Sequence, residues 1–336
     1  MSPVDASVVW RRLSRSRRAV LGVVLLGLLA IAGVFAEVLA SPAPIVSRGA
    51  HGLEVLPGVV HATEYAGKTR AEIDALHQGD SSVWPWVRFG PNTVGDAGPN
   101  APADAAHPLG TDSEGRDLFA RLVYGARTAL GLSLGAVLLG MVLGVALGGL
   151  AGYERGFWDD RLGRLVETVD TFPAIIVVAL VRAIEREPSA LSLVLAVAFV
   201  RWAEVARVVR AEVVRATAED YVQAAHALGA PPLRVFARHI LPNALGPAIV
   251  SSVFGVASVV LLEAAISFLG MGAESRQASW GETLAEGARD PSRLRLLLLP
   301  GGLLMATVGG TYLLAAALRD ASDPRAVVGG GAGERS

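Results

Sequence analysis

Six stretches of this chain are apolar over close to the length a helix needs to cross a bilayer, and no other feature restricts the possible folds as much. They run from about Ala19 to Ala40, Thr128 to Tyr153, Leu165 to Ile184, Ala190 to Ala203, Ala244 to Gly270 and Leu296 to Leu318. Composition agrees: of 336 residues 52% are hydrophobic and 18% charged, with a mean hydropathy of +0.46. A soluble domain of this length needs more surface charge. With no water in the hydrocarbon core, each crossing must satisfy its own backbone, so the sequence predicts an all-α membrane protein of six transmembrane helices.

The first stretch follows Arg11, Arg12, Arg15, Arg17 and Arg18. It exceeds the length of a signal-peptide core and reads as an uncleaved anchor. The second carries Gly131, Gly135, Gly140, Gly144, Gly148 and Gly152 at steps of four or five, which lines them up for close packing on a neighbouring helix. The third contains Pro173. The fourth continues into "RWAEVARVVRAEVVRA", with Val205, Val209 and Val213 on one face and Arg207 and Arg210 on another, so one long helix should extend from membrane into cytosol.

Arginine placement sets orientation. The N-terminal cluster, Arg155, Arg161 and Arg164 after the second helix, Arg234 and Arg238 after the fourth, and Arg319 and Arg325 at the end all fall on one side. That side is the cytoplasm, with both termini there; Arg289, Arg293 and Arg295 run against the bias. The expected organisation is a tail and first helix over 1–40, an extracytoplasmic loop over 41–126, a five-helix core over 127–320 and a cytoplasmic tail over 321–336. The core holds a cytoplasmic loop over 216–242. The outer loop is rich in Pro and Gly and gives no confident domain.

Net charge is −1, which offers nothing to a nucleic acid, and the absence of Cys excludes disulfides and thiolate metal sites. No G-x-x-x-x-G-K-[ST] loop is present to hold nucleotide phosphates. No Ser, His and Asp arrangement suggests nucleophilic catalysis. The set His107, Asp112, Glu114 and Asp117 in "HPLGTDSEGRD" reads as a folded external turn before a metal site. Asp159, Asp160 and Arg161 read as a solvated turn. Glu263 lies deep in the fifth helix, where a carboxylate is costly. It either lines a pathway or partners an Arg or backbone group near "SFLG".

The segment Glu219–Asn243 separates two apolar helices. Glu219 and Asp220 suit a helix N-terminus, Gly229 a left-handed exit, and Pro231 and Pro232 a stop. Ala224, Ala225 and Leu228 then share a thin apolar side. Leu233, Phe236, Ala237, Ile240 and Leu241 make a second stripe before Pro242 turns the chain into the fifth helix.

This segment resembles the cytoplasmic loop of ABC importer permeases, in which Glu-Ala-Ala precedes a Gly and then Ile-Leu-Pro. Here it reads Gln223-Ala224-Ala225, Gly229 and Ile240-Leu241-Pro242. "HPLGTDSEGRD", "YGAR" at Tyr124–Arg127, "ISFLGMG" at Ile266–Gly272, "SWG" at Ser279–Gly281 and "LRDASDPR" ending at Arg325 are similar to the C-type subunits of the dipeptide, oligopeptide and nickel branch. The resemblance implies a MetI-like ABC importer permease fold in a bacterial inner membrane, with no chemistry, cofactor or metal of its own. It implies as partners a B-type permease, two ATPases that bind the ATP, an extracytoplasmic solute-binding protein and the lipid bilayer. Gln223, Ala224, Ala225, Leu228 and Gly229 become the residues expected to dock on an ATPase, with Gln223 departing from the usual Glu and His226 from the common Arg. The expected cargo is di- or oligopeptides; nickel or another small solute is the alternative. An ion-coupled secondary carrier or a membrane scaffold are the more distant readings.

Overall fold

A computed structural model of the chain describes residues 6–49, 52–65, 68–272 and 277–322. Arg325, the end of "LRDASDPR" and most of the 321–336 tail lie outside these residues. The helices are α1 Ala6–Arg15, α2 Arg17–Val34, α3 Arg70–Leu76, α4 Leu118–Glu154, α5 Phe157–Thr171, α6 Ala174–Ile184, α7 Ala190–Thr217, α8 Asp220–Ala227, α9 Pro232–Phe268, α10 Trp280–Arg289 and α11 Leu294–Ser322. Strands β1 Val46–Gly49, β2 Gly52–Val55 and β3 Ser81–Val83 add a small antiparallel sheet in the order β2-β1-β3.

Among the described residues four helices, α2, α4, α9 and α11, are by themselves long and apolar enough to cross a membrane. The expected third crossing is two helices. Phe172, preceding Pro173, is extended at φ −94° and ψ 129°, because the proline ring disfavours helical backbone in its predecessor. That leaves α6 with 11 residues, about 16 Å, too short to cross alone. The α7 helix is a single 28-residue rod, begun by a reciprocal cap between Ser189 and Ser192.

Contacts divide the chain into two compact units, and α2, α4, α9 and α11 each contribute to both. The first comprises Met1–Leu26, Leu132–Leu262 and Ala306–Ser336. Its organising contact is the glycine row of α4, which lies along α7. Gly140 faces Arg201, Gly144 faces Val205, Gly148 faces the Ala206 backbone and Gly152 faces Val213 and the Arg210 carbonyl. Backbones approach this closely only where no Cβ intervenes. Gly131, outside this unit, meets nothing within 4 Å. On α7, Val205, Val209 and Val213 are buried as their spacing predicts. The opposite face pairs Arg207 with Asp170 and Arg210 with Asp159 of α5. Asp159 is therefore no solvated turn residue: its side chain is largely covered and paired with the Arg210 guanidinium. The start of α2 joins this unit through Gly22, packed on Gly310 of α11.

The second unit comprises Gly27–Gly131 and Glu263–Met305. Here the outer loop gains a core the sequence did not announce. Ala43, Tyr65 and Ile73 pack with Trp84, and Tyr65 Oη lies 2.9 Å from His77 Nε2. Burial pushes the Tyr65 phenol up to about 12. In "YGAR", Gly125 lets Trp280 lie against α4, and Arg127 donates to the Gly33 and Val34 carbonyls that end α2 while pairing with Glu37. "HPLGTDSEGRD" is the folded turn expected. Asp112 accepts from the Glu114 and Arg116 amides and from Arg116 Nε at 2.7 Å; Asp117 caps α4 at the Ala120 amide and meets His107 Nδ1 at 2.8 Å.

The glycine row makes a testable distinction. Gly148→Leu should force α4 off α7 and destabilise the protein by about 1–3 kcal/mol, the range for overpacked cores. Gly131→Ala, pointing into open space, should stay within about 0.5 kcal/mol. Thermal melting of the two variants in detergent measures the difference.

Candidate functional site

The 216–242 loop is a short helix pinned at both ends. Glu219 occupies the N-cap position of α8 but makes no side-chain cap; its carboxylate lies 3.6 Å from Arg215 instead. At the other end Gly229 adopts φ +78°. The Gly229 amide donates to the His226 carbonyl at 2.9 Å and the Ala230 amide to the Ala225 carbonyl at 3.1 Å, the paired bonds of a Schellman exit. Only a residue that tolerates positive φ fits there, which accounts for Gly229 as the sequence predicts.

The helix is held by residues that periodicity did not single out. Val222 is fully buried with Val213, Ala216, Val235 and Ile240. Asn243 Nδ2 donates to Tyr221 Oη at 2.9 Å and to the His239 carbonyl at 2.7 Å. Burial pushes the Tyr221 phenol up. Tyr153, at the end of α4, donates to the Pro232 carbonyl at 3.0 Å, and its ring lies 5.1 Å from that of Phe236. Arg155 donates to Thr217 Oγ1 at 2.9 Å. The loop is thus tied to α4, α7 and α9 at once.

The five residues expected to dock do not all face the same way. Ala224, Leu228 and Gly229 are exposed, Leu228 at 88%, whereas Ala225 turns partly inward onto the valine cluster. Gln223 is exposed, and its Nε2 donates to the Thr217 carbonyl at 2.7 Å. A glutamate has no donor to offer there. The departure at Gln223 therefore has a local physical reason: this loop uses an amide to fasten α8 to the end of α7.

The return segment also differs from expectation. Leu233 and Ala237 are exposed, and the buried residues are Val235 and Ile240. Pro242 does not turn the chain. Residues Phe236–Ile240 form a π-helical turn in which the Leu241 amide donates to the Phe236 carbonyl. A wider turn relaxes the helix where proline lacks a donor, so α9 continues unbroken.

Glu263 belongs to the second unit and is buried. Its partners are hydroxyls, not an Arg: Ser267 Oγ of "SFLG" donates at 2.8 Å and Ser279 Oγ of "SWG" at 2.9 Å. The same Ser279 oxygen accepts from the Gly281 amide. Trp280 is fully buried and donates to the Leu122 carbonyl at 2.9 Å, and Gly281 sits against the Ala264 carbonyl, where a side chain would collide. Glu263 thereby fastens α9 to the start of α10.

Known proteins match both ends of this architecture. Residues 6–49 match the N-terminal transmembrane domain of oligopeptide transport permease C. A putative peptide transport system permease protein of Brucella suis is 37% identical over 249 residues, covering 73% of this chain and 83% of that protein. The dipeptide transport system permease protein DppC of Alkalihalophilus pseudofirmus is 36% identical over 66% of this chain and 73% of its own length. The oligopeptide transport system permease protein OppC of Bacillus subtilis is 31% identical over 71% and 78%. Residues 144–327, which include the pinned loop, match the inner membrane component of binding-protein-dependent transport systems, and the chain belongs to that family of multi-pass membrane permeases.

Proposed function

We propose that this chain is the C-type permease subunit of an ATP-driven importer of di- or oligopeptides in a bacterial inner membrane. The cargo is supported by relatives named for peptides, dipeptides and oligopeptides. In this reading the chain crosses six times, with α5–α6 together as the third crossing and α7 as the fourth, and both termini lie in the cytoplasm. It pairs with a B-type permease, two ATPases and an extracytoplasmic solute-binding protein, and it holds no ATPase site or cofactor of its own.

The observation that carries the proposal is the pairing, within eight residues, of a fully buried anchor at Val222 with a bare apolar tip at Leu228. An exposed leucine on a helix fixed to α7 and α9 is suited to enter a groove on a motor and pass its motion to the bundle. Ala224 beside it keeps that face thin enough for close approach. Glu263, satisfied on one oxygen by two hydroxyls, serves the bundle as a clamp and not as a cargo contact.

Leu228→Asp should place an unpaired carboxylate in the docking groove and lower cargo-stimulated ATP hydrolysis by the reconstituted transporter at least about tenfold. If hydrolysis and ATPase co-purification stay at wild-type levels, α8 is not the docking element. An ion-gradient-driven carrier would continue to transport with no ATPase present.

Gln223→Glu should release α8 from Thr217 without disturbing Val222. Losing one hydrogen bond, worth about 1 kcal/mol, predicts roughly fivefold faster amide exchange across 217–229, read by hydrogen–deuterium exchange.

A further inference from the structure

A cavity of about 1060 Å³ lies within the first unit, bordered by α1, α7, α9 and the end of α11. Its walls are mostly apolar, with Trp10, Leu245, Ile249, Val250 and Phe254 among them. Its size and lining suit a small organic molecule oriented by a few polar groups. Glu212, Arg215 and Glu219 form one chain of ion pairs, and Arg319 lies beside Asp320. The remaining charged group on the wall is Glu204.

Glu204 is arranged so that its carboxylate, not its counter-charge, meets the cavity. Arg201 pairs with Oε2 one turn earlier on α7, but the Arg201 side chain is 14% exposed against 46% for Glu204, and Arg201 does not line the space. Gly255 of α9 leaves room for the Arg201 guanidinium, which any side chain there would displace. Ser251 Oγ donates to the other carboxylate oxygen, Oε1, at 3.2 Å. One turn on, Phe254 adds an aromatic ring to the wall, held edge-on to Tyr312 at 5.2 Å. A carboxylate, a hydroxyl and an aromatic ring are groups that can receive an ammonium ion.

We propose that Glu204 is a specificity-determining contact for cationic cargo: the free amino group of a peptide passes this carboxylate, with Arg201 behind it setting its orientation and limiting its hold. The identity of the cargo rests on the peptide-permease reading; the preference for positive charge rests on the cavity alone. A carboxylate already paired with arginine binds an ammonium weakly, which suits a place that cargo must leave.

The chain has no cysteine, so a single introduced thiol reports on this cavity without ambiguity. Val250→Cys, with Ile249→Cys as a second reporter, is placed in the complete transporter reconstituted in proteoliposomes. The thiol is modified by methanethiosulfonates bearing a trimethylammonium or a sulfonate group, and the labelled chain is isolated by electrophoresis. The ratio of cationic to anionic rates should exceed that of a free cysteine peptide by at least about fivefold, collapse towards it in Glu204→Gln and persist in Glu204→Asp. Dialanine should slow the modification, and N-acetyl-dialanine should not. A ratio unchanged by Glu204→Gln, equal protection by both peptides, or no modification of either reporter would overturn the proposal. Uptake of labelled dialanine by the same vesicles separates the two readings. A Glu204-dependent ratio without peptide uptake would support the cation site and refute the peptide cargo.

Discussion

The close seam between α4 and α7 is the contact on which the first unit depends. In a bilayer, apolar side chains gain little by leaving lipid for protein, so helix association rests on close packing and on polar groups that find partners. Gly140, Gly144, Gly148 and Gly152 supply the first by bringing two backbones together over three turns. The second is supplied from the opposite side of α7, where Arg207 and Arg210 are neutralised by Asp170 and Asp159. Side chains that look out from the helices elsewhere, such as Leu28, Ile31, Leu138 and Val142, are exposed as a lipid-facing surface requires.

The pinned loop is built directly on that seam. Gly149, one residue beyond Gly148, leaves room for Phe236; Gly152 faces Val213; and Tyr153 reaches the Pro232 carbonyl. The C-terminal end of α4 thus touches α7 and the start of α9 within a single turn. Val222 closes the arrangement by inserting α8 into the same valine-rich cluster. A force applied at Leu228 cannot bend α8 alone, because interiors packed this way move as bodies and resist continuous deformation. The lever and the bundle it would move share their core residues.

Much of this was legible in the sequence, because each legible feature has a strong local cause. Glycines at steps of four or five gave a packing face, Gly229 before two prolines gave a left-handed exit, and the Val205, Val209 and Val213 period gave the buried side of α7. What was not legible depends on partners far along the chain. Nothing local marks Val222 as the anchor of α8 over Ala225, since both are apolar and only contact with Val235 and Ile240 decides between them. Pro242 signalled a break, but the π-helical turn before it absorbs the missing donor. Gln223 read only as a departure from the usual Glu, and its partner is the Thr217 carbonyl six residues earlier. The outer loop hid its core because its strands are only three or four residues long, too short for alternation to register.

The charges of α7 show how local pairing alters what composition suggests. Arg201, Glu204, Arg207 and Arg210 interrupt the apolar run of this helix, yet each is paired: Arg201 with Glu204, Arg207 with Asp170 and Arg210 with Asp159. Paired charges cost far less to bring out of water than isolated ones, so the helix can start in an apolar setting at Ala190 and leave it without a break. The three pairs are not equivalent. Arg207 and Arg210 reach across to α5 and tie two helices together. Arg201 and Glu204 are three residues apart on one helix, so their pairing fastens nothing to α5. It orients a dipole, with the arginine towards Gly255 and the carboxylate towards the cavity. The tie it does make is to α9, where Ser251 donates to Glu204 and Gly255 receives Arg201, so one ion pair joins two helices while presenting one sign of charge to an open space.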